Sequence, residues 1–220
     1  MTPKNKKDVR RKILSTAEKL FAQRGFDASG IEAIAKTAGI TKSLIYYYFD
    51  SKDDILRDIF TDFAKKSVAT KKRVVKAWLA NPKIGVDEII KKYSLPFMIE
   101  NRDAIKIAFA ESIKDIEDTP HLNIFQFFDE NFNAGYEISK QMGLKTERTQ
   151  SQMITGFFMF FAPLFSFIIF SDEWCDYYKT DMQETTDLFA DALAKMYTHF
   201  ITENTGITDL ESILKRKPAS

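Results

Sequence analysis

Polar and apolar positions along this chain repeat with the period of a helix almost throughout. In VRRKILSTAEKLFAQRG, residues 9–25, Val9, Ile13, Ala17, Leu20 and Phe21 fall on one stripe, and Gly25 supplies a stop. Ser29-Gly-Ile-Glu32 reads as a capping box, its two side chains satisfying free backbone N–H groups reciprocally. Ile31, Ile34 and Ala35 then form an apolar stripe that ends at Gly39. Thr41 caps a third, short helix running through Phe49. Ser51 caps a fourth, with Asp53 and Asp54 in the first turn, where the helix dipole favours acids. Ile55, Ile59 and Phe63 continue that helix, and Asn81-Pro82 marks a break.

Farther on, Thr119-Pro120 opens a helix that runs to Gly143, with Phe125, Phe128 and Phe132 on one face. Asp181 to about Asn204 forms another, striped by Met182, Phe189, Leu193, Met196 and Phe200, with Glu184, Asp187, Asp191 and Lys195 opposite. The predicted fold is all-α. A three-helix head at residues 1–52 sits on a larger helical body at residues 53–220.

Two short helices joined by a tight glycine turn make either an ordinary αα-hairpin or a helix-turn-helix. The third helix decides between them. At about 100° per residue, with Lys42 at 0°, Ile45 and Phe49 fall near 300° and 340° and form one apolar edge. Ser43 and Tyr47 lie opposite, and Tyr46, Tyr48 and Leu44 lie between. In GITKSLIYYYFDSK, residues 39–52, Phe49 therefore faces the core and Tyr47 points away from it. A face of hydroxyls, a lysine and aromatic rings suits a DNA major groove, where O–H groups and lysine reach phosphates and ring faces touch thymine methyls.

Charge sharpens the division between head and body. The net charge is +1, yet residues 1–52 hold eleven Lys/Arg against five Asp/Glu, which leaves the remainder acidic. A basic head on an acidic body points to a polyanion partner for the head. One cysteine, Cys175, excludes an internal disulfide framework, and the basic N-terminus lacks an apolar signal stretch, so a cytoplasmic protein is expected.

The run GFDASGIEAIAKTAGITKSLIYYYFDSKDDIL, residues 25–56, resembles the N-terminal DNA-binding domain of the TetR family of bacterial transcriptional regulators. Gly25-Phe26, Ser29, Ile34-Ala35, Ala38-Gly39-Ile40, Tyr46, Phe49, Lys52 and Ile55 stand at the spacing of that family's pattern. Two positions depart from it: Gly30 stands where a second Ser/Thr is common, and Ser43-Leu44 replaces a frequent Gly-Thr pair. The resemblance implies that Lys42, Ser43, Leu44 and Tyr47 face the groove. It also implies that Tyr46, Tyr48, Ser29 and Lys52 clamp phosphates at its edges, with Thr41 at the helix start in the same DNA-binding set.

The segment MITGFFMFFAPLFSFIIF, residues 153–170, has no charge and seven phenylalanines. It is short for a bilayer, holds Thr155, Gly156, Pro163 and Ser166, and lacks flanking basic clusters, so no membrane span is expected. A helix apolar on every side is instead buried on every side. The resemblance implies a homodimer held by the two C-terminal helices of each protomer, reading a near-palindromic double-stranded operator. It also implies a pocket in the body for an inducer.

Thirteen of the twenty phenylalanines lie between residues 97 and 170, which suits a small hydrophobic or aromatic ligand. Phe109, Phe125, Phe128, Phe157, Phe161 and Phe165 are the expected lining, with Glu111 as a polar contact or a solvated helix edge.

The enzyme class has little support. The two histidines, His121 and His199, lack cysteine partners at zinc spacing, and HExxH, GxSxG and GxGxxG are absent. No catalytic residue, metal or cofactor is expected. The expected function is ligand-responsive, sequence-specific DNA binding, most simply repression relieved by an inducer. The alternative is a structural DNA-binding protein that recruits a protein partner through its body without an inducer.

Overall fold

The structure, a computed structural model, describes residues 3–81, 84–114, 124–141 and 148–205, and within these every regular element is helical. In chain order they are α1 (Pro3–Arg24), α2 (Ile31–Ala38), α3 (Lys42–Tyr46), α4 (Lys52–Ala80) and α5 (Val86–Ile89). A π turn at Ile90–Ser94 leads into α6 (Leu95–Glu100) and α7 (Arg102–Ser112). Then come α8 (Ile124–Gln141), α9 (Gln150–Thr155), a second π turn at Gly156–Phe161, α10 (Ala162–Tyr178) and α11 (Met182–Thr205). The expected break at Pro82 and the expected helix start at Thr119-Pro120 lie outside the described residues.

The helix limits follow from local chemistry. Gly25 and Gly39 both take positive φ, 83° and 63°, where a side chain is strained. At Gly39 the Ile40 N–H bonds the Ala35 carbonyl at 3.0 Å while the Gly39 N–H bonds that of Lys36 at 3.2 Å, a Schellman close. Thr41 caps α3 by accepting from the Leu44 N–H at 3.3 Å. Ser51 does the same for Asp54 ahead of α4 at 3.1 Å, and Asp181 for Glu184 ahead of α11 at 2.9 Å.

Two expectations are corrected here. The cap of α2 is Gly30, with no side-chain cap bond, so the Ser29–Glu32 capping box does not form. The Ser29 hydroxyl instead turns back to the end of α1, donating to the Gly25 carbonyl at 2.8 Å and that of Leu20 at 3.2 Å. The third helix is also shorter than its apolar pattern suggests, ending at Tyr46 and passing through a turn to Phe49.

The chain forms two compact units, Met1–Lys65 with Asn101–Phe127, and Lys66–Glu100 with Phe128–Ser220. They do not follow the division drawn at residue 52, because α7 packs on α1 and the segment carrying it joins the first unit. The first unit buries Ile13, Leu20, Phe21, Ile34, Ile45 and Phe49, with Ile105 and Ile107 from α7. Phe63 stacks on Phe127 with ring centroids 4.3 Å apart and planes 9° apart.

The second unit packs α10 and α5 against α11, burying Leu164, Phe165, Ile168, Ala190 and Leu193. Phe167 and Phe189 stack at 4.1 Å. Gln150–Tyr178 is continuously helical and, by length and composition, long and apolar enough to cross a membrane. Only 22% of its most apolar stretch is buried, so most of that stretch is left partly or fully exposed.

Candidate nucleic-acid interface

In α3 and the turn beyond it, Ile45 is 0% exposed and Phe49 is buried, while Tyr47 is 60% exposed. That is the inside–outside division the helical angles predict. Lys42, Ser43 and Tyr46 are exposed as well, and Leu44 and Tyr48 are half-buried. Tyr47 and Tyr48 meet edge to face at 5.1 Å. Thr41 Oγ1 lies 3.1 Å from Ser43 Oγ, so the cap and the first turn share one polar edge. Ser43 and Tyr47 thus present a hydroxyl and a phenol on one side of this five-residue helix, about 7.5 Å long, and the turn after it, with the exposed Lys42 ammonium on its flank.

A further residue joins this face from α1. The Lys6 ammonium lies 4.9 Å from the centre of the Tyr47 ring, and its hydrogen bond to Tyr47 holds it above the usual lysine pKa. The basic N-terminal run was visible in the sequence, but nothing there singled out Lys6.

Two expected phosphate contacts sit differently. Ser29 is 0% exposed, with its hydroxyl and backbone N–H both committed inside the head, so it offers nothing to a phosphate. Lys52 donates to the Phe26 carbonyl at 2.8 Å and lies 4.0 Å over the Phe26 ring. With a second, longer bond to the Asp27 carbonyl at 3.5 Å, two of its three N–H donors are tied into the fold.

The expected ligand residues divide between the units. Phe109 is half-buried and Phe125 is 54% exposed, in place of the buried position that its helix face suggested; Phe127 takes that place. Glu111 is 3% exposed, and the solvated-edge expectation is overturned. Its two carboxylate oxygens lie 2.8 and 2.9 Å from Lys114 Nζ, which also reaches Asp27 at 2.6 Å. Burial lowers the Lys114 pKa, but its hydrogen bonds to Asp27 and Glu111 outweigh that and raise it.

In the second unit Phe128, Phe157, Phe161 and Phe165 do come together. Phe128 meets Phe157 at 5.3 Å and Phe161 at 5.2 Å, and Phe161 meets Phe165 at 5.7 Å. An open groove of about 600 Å³ in the same unit is lined by other residues, among them Val86, Asp87, Asp191 and Lys195. Among the described residues, no group of three His, Cys, Asp or Glu side chains is placed to hold a metal.

Residues 13–59 match the family described as bacterial regulatory proteins, tetR family. Through residues 13–59 the chain is similar to the TetR family. It is 28% identical over 108 residues to the uncharacterized HTH-type transcriptional regulator YdgC of Bacillus subtilis, covering 46% of this chain and 53% of that one. It is 37% identical over 46 residues to IcaR of Staphylococcus epidermidis, named as a negative transcriptional regulator of the icaADBC biofilm operon, covering 21% and 25%. The chain thus spans about half the length of the first relative and a quarter of the second.

A solved structure of a TetR-family regulator from Syntrophomonas wolfei superposes with a TM-score of 0.57 at 20% identity, covering 86% of this chain and 94% of that one. At that identity the likeness speaks to fold alone.

Proposed function

We propose that this protein is a TetR-family, sequence-specific, DNA-binding transcriptional regulator. On this reading it acts as a homodimeric repressor released from its operator by a small hydrophobic or aromatic ligand. The observation that carries it is the exposed face of Ser43 and Tyr47 opposite buried Ile45 and Phe49, with Lys42 exposed on the flank, on a helix closed off from α2 by the Gly39 turn. Lys42, Ser43, Leu44 and Tyr47 read the major groove, with Thr41 at the helix start, while Tyr46, Tyr48 and Lys52 hold phosphates. The reading head is residues 1–52 and the body residues 53–220.

The apolar surface of the second unit supports the dimer. Ile154, Phe158, Met159, Phe170 and Trp174 along Gln150–Tyr178, with Leu188 and Met196 on α11, are all exposed large apolar side chains. Pairing α10 and α11 with those of a second copy covers them and sets two heads at half-site spacing. This use of the apolar helix, together with the single cysteine, is why we place the protein in the cytoplasm rather than a membrane. The name of IcaR supports the repressor direction. Ligand binding relieves repression only through unequal affinity for two head arrangements, and a tenfold loss of operator affinity takes about 1.4 kcal/mol of coupling.

The test is fluorescence anisotropy on the DNA just upstream of this protein's own gene, against a scrambled duplex at physiological salt. Binding of protomers in pairs, at least ~10³ tighter than to the scrambled duplex, is the expected result. Equal, weak binding to that fragment and to every genomic fragment in a wide search overturns the sequence-specific reading.

A further inference from the structure

The second unit contains a polar cluster that the expected ligand set did not include. On α4, Ser67 is buried and donates to Oδ1 of Asn131 on α8, and one turn along Lys71 donates to the Asn131 backbone carbonyl. Asn131 is itself buried. Among the described residues no carboxylate comes within ion-pair distance of Lys71, and burial alone draws its pKa down to about 8. A half-buried cation with only neutral oxygen partners is an unfinished arrangement, and an anion is what completes it.

Two further features place apolar rings and a bare stretch of helix backbone near this cation. Asn131 lies three residues from Phe128 on α8, hence on the same helix face about 4.5 Å along the axis, and Phe128 is the hub of the Phe157–Phe161 ring cluster. Gly135, one turn on, has its missing Cβ position 3.8 Å from Lys71 Nζ, an ordinary contact distance, so the ammonium lies against the bare backbone of α8. The ring cluster lies on the π turn at Gly156–Phe161, a kind of helix irregularity that recurs at functional sites.

We propose that Lys71, with Ser67 and Asn131, receives the carboxylate of a small amphipathic acid whose apolar part lies along the Phe128, Phe157 and Phe161 rings. This rests on the reading of the body as a ligand-binding domain and names the chemistry of its ligand. The acid contributes the missing charge, and the rings select an aromatic or aliphatic tail.

Calorimetry on the full chain without DNA tests it, using 3-phenylpropanoate and octanoate as probes against 3-phenylpropanamide and octanamide. Wild-type protein is expected to bind at least one acid about tenfold or more tighter than its amide, and Lys71→Met to lose that preference while still binding the amide. Asn131→Asp, which keeps the lysine and supplies an internal counter-ion, is expected to lose the acid as well. It controls for misfolding of the first variant. Preference for the phenyl acid or the octyl acid tells which tail the rings select. Equal binding of acid and amide, equal binding by wild type and Lys71→Met, or no binding of either acid overturns the proposal.

Operator release is measured separately. Acids that bind through Lys71 without releasing the operator leave this site standing and remove the inducer reading. A neutral ligand that releases the operator equally from wild type and Lys71→Met does the reverse.

Discussion

Lys114 Nζ lies 2.6 Å from the carboxylate of Asp27 and within 3 Å of both oxygens of Glu111. One ammonium thus joins the α1–α2 connection to α7 within the first unit. Glu111 is almost fully buried, and Lys114 is its only cationic partner among the described residues.

Removing that ammonium strands a buried carboxylate. Lys114→Met is expected to cost about 2 kcal/mol, reduced from the fully buried case because Lys114 is partly exposed. Glu111→Gln in the same background should recover most of it. Urea titrations of the four members of the cycle give the coupling, and additive losses would show that the pair is energetically silent.

The same contact fixes an acid limit. The hydrogen bond from Lys114 holds the Asp27 pKa below its ordinary value. A carboxylate depressed in the folded state contributes stability above its unfolded pKa, lost as pH falls through the folded one. The stability gap between wild type and Lys114→Met should therefore be flat from about pH 5 to 9 and shrink below about pH 4. Melting curves across that range check it.

Lys71 is shifted the same way, but there it is the charged form that burial makes costly. Its pKa of about 8 means that the folded state binds its proton less tightly than the unfolded chain. Stability rises with pH where the unfolded chain holds more protons, here from about 8 to about 10.4. Lys71→Met is expected to be more stable than wild type by about 2 kcal/mol at pH 7, with the difference closing by pH 10. A constant difference would place the ammonium in water.

Tyr47 and Lys52 separate reading from holding. Tyr47→Ala should weaken operator binding by about 1–3 kcal/mol and random DNA far less. Equal losses on both would take Tyr47 out of the groove. Lys52→Met should lower head stability by about 1 kcal/mol, through its lost contacts with Phe26, and shorten the salt slope by about one. Loss of stability with an unchanged slope would make Lys52 purely a fold residue.

Trp174→Glu tests the dimer surface. The side chain is exposed in the protomer, so the fold should tolerate the charge while the dimer does not. Sedimentation should show a monomer with wild-type helicity, and operator binding should fall with it.

Most of the head was legible in the sequence because its apolar residues recur at helical spacing and glycines mark its turns. Ile45, Phe49 and Tyr47 lie on the sides that their angles assign. Ser29 was misread because a serine three residues before a glutamate caps a helix in one local geometry and closes the previous helix in another, and only the fold selects between them. Phe125 and Phe127 differ by about 200° around α8, and which side is buried depends on Phe63, sixty-four residues earlier. Glu111 sits in an apolar run with a lysine three residues on, a spacing that is usually a surface pair. Its burial comes from tertiary packing, as does the meeting of Lys71 with Asn131.

The turn at Gly156–Phe161 has an evolutionary consequence. A π turn takes up about one residue more than an α turn, so the flanking helices stay in step as if an ordinary helix had gained one amino acid. Loss of a single phenylalanine codon here should leave Leu164, Phe165 and Ile168 facing inward and remove one ring from the wall. The same loss in the middle of α10 would swing everything beyond it by about 100°. The aromatic wall can thus be edited by whole residues, a route by which descendants of this chain could reshape it while keeping their framework.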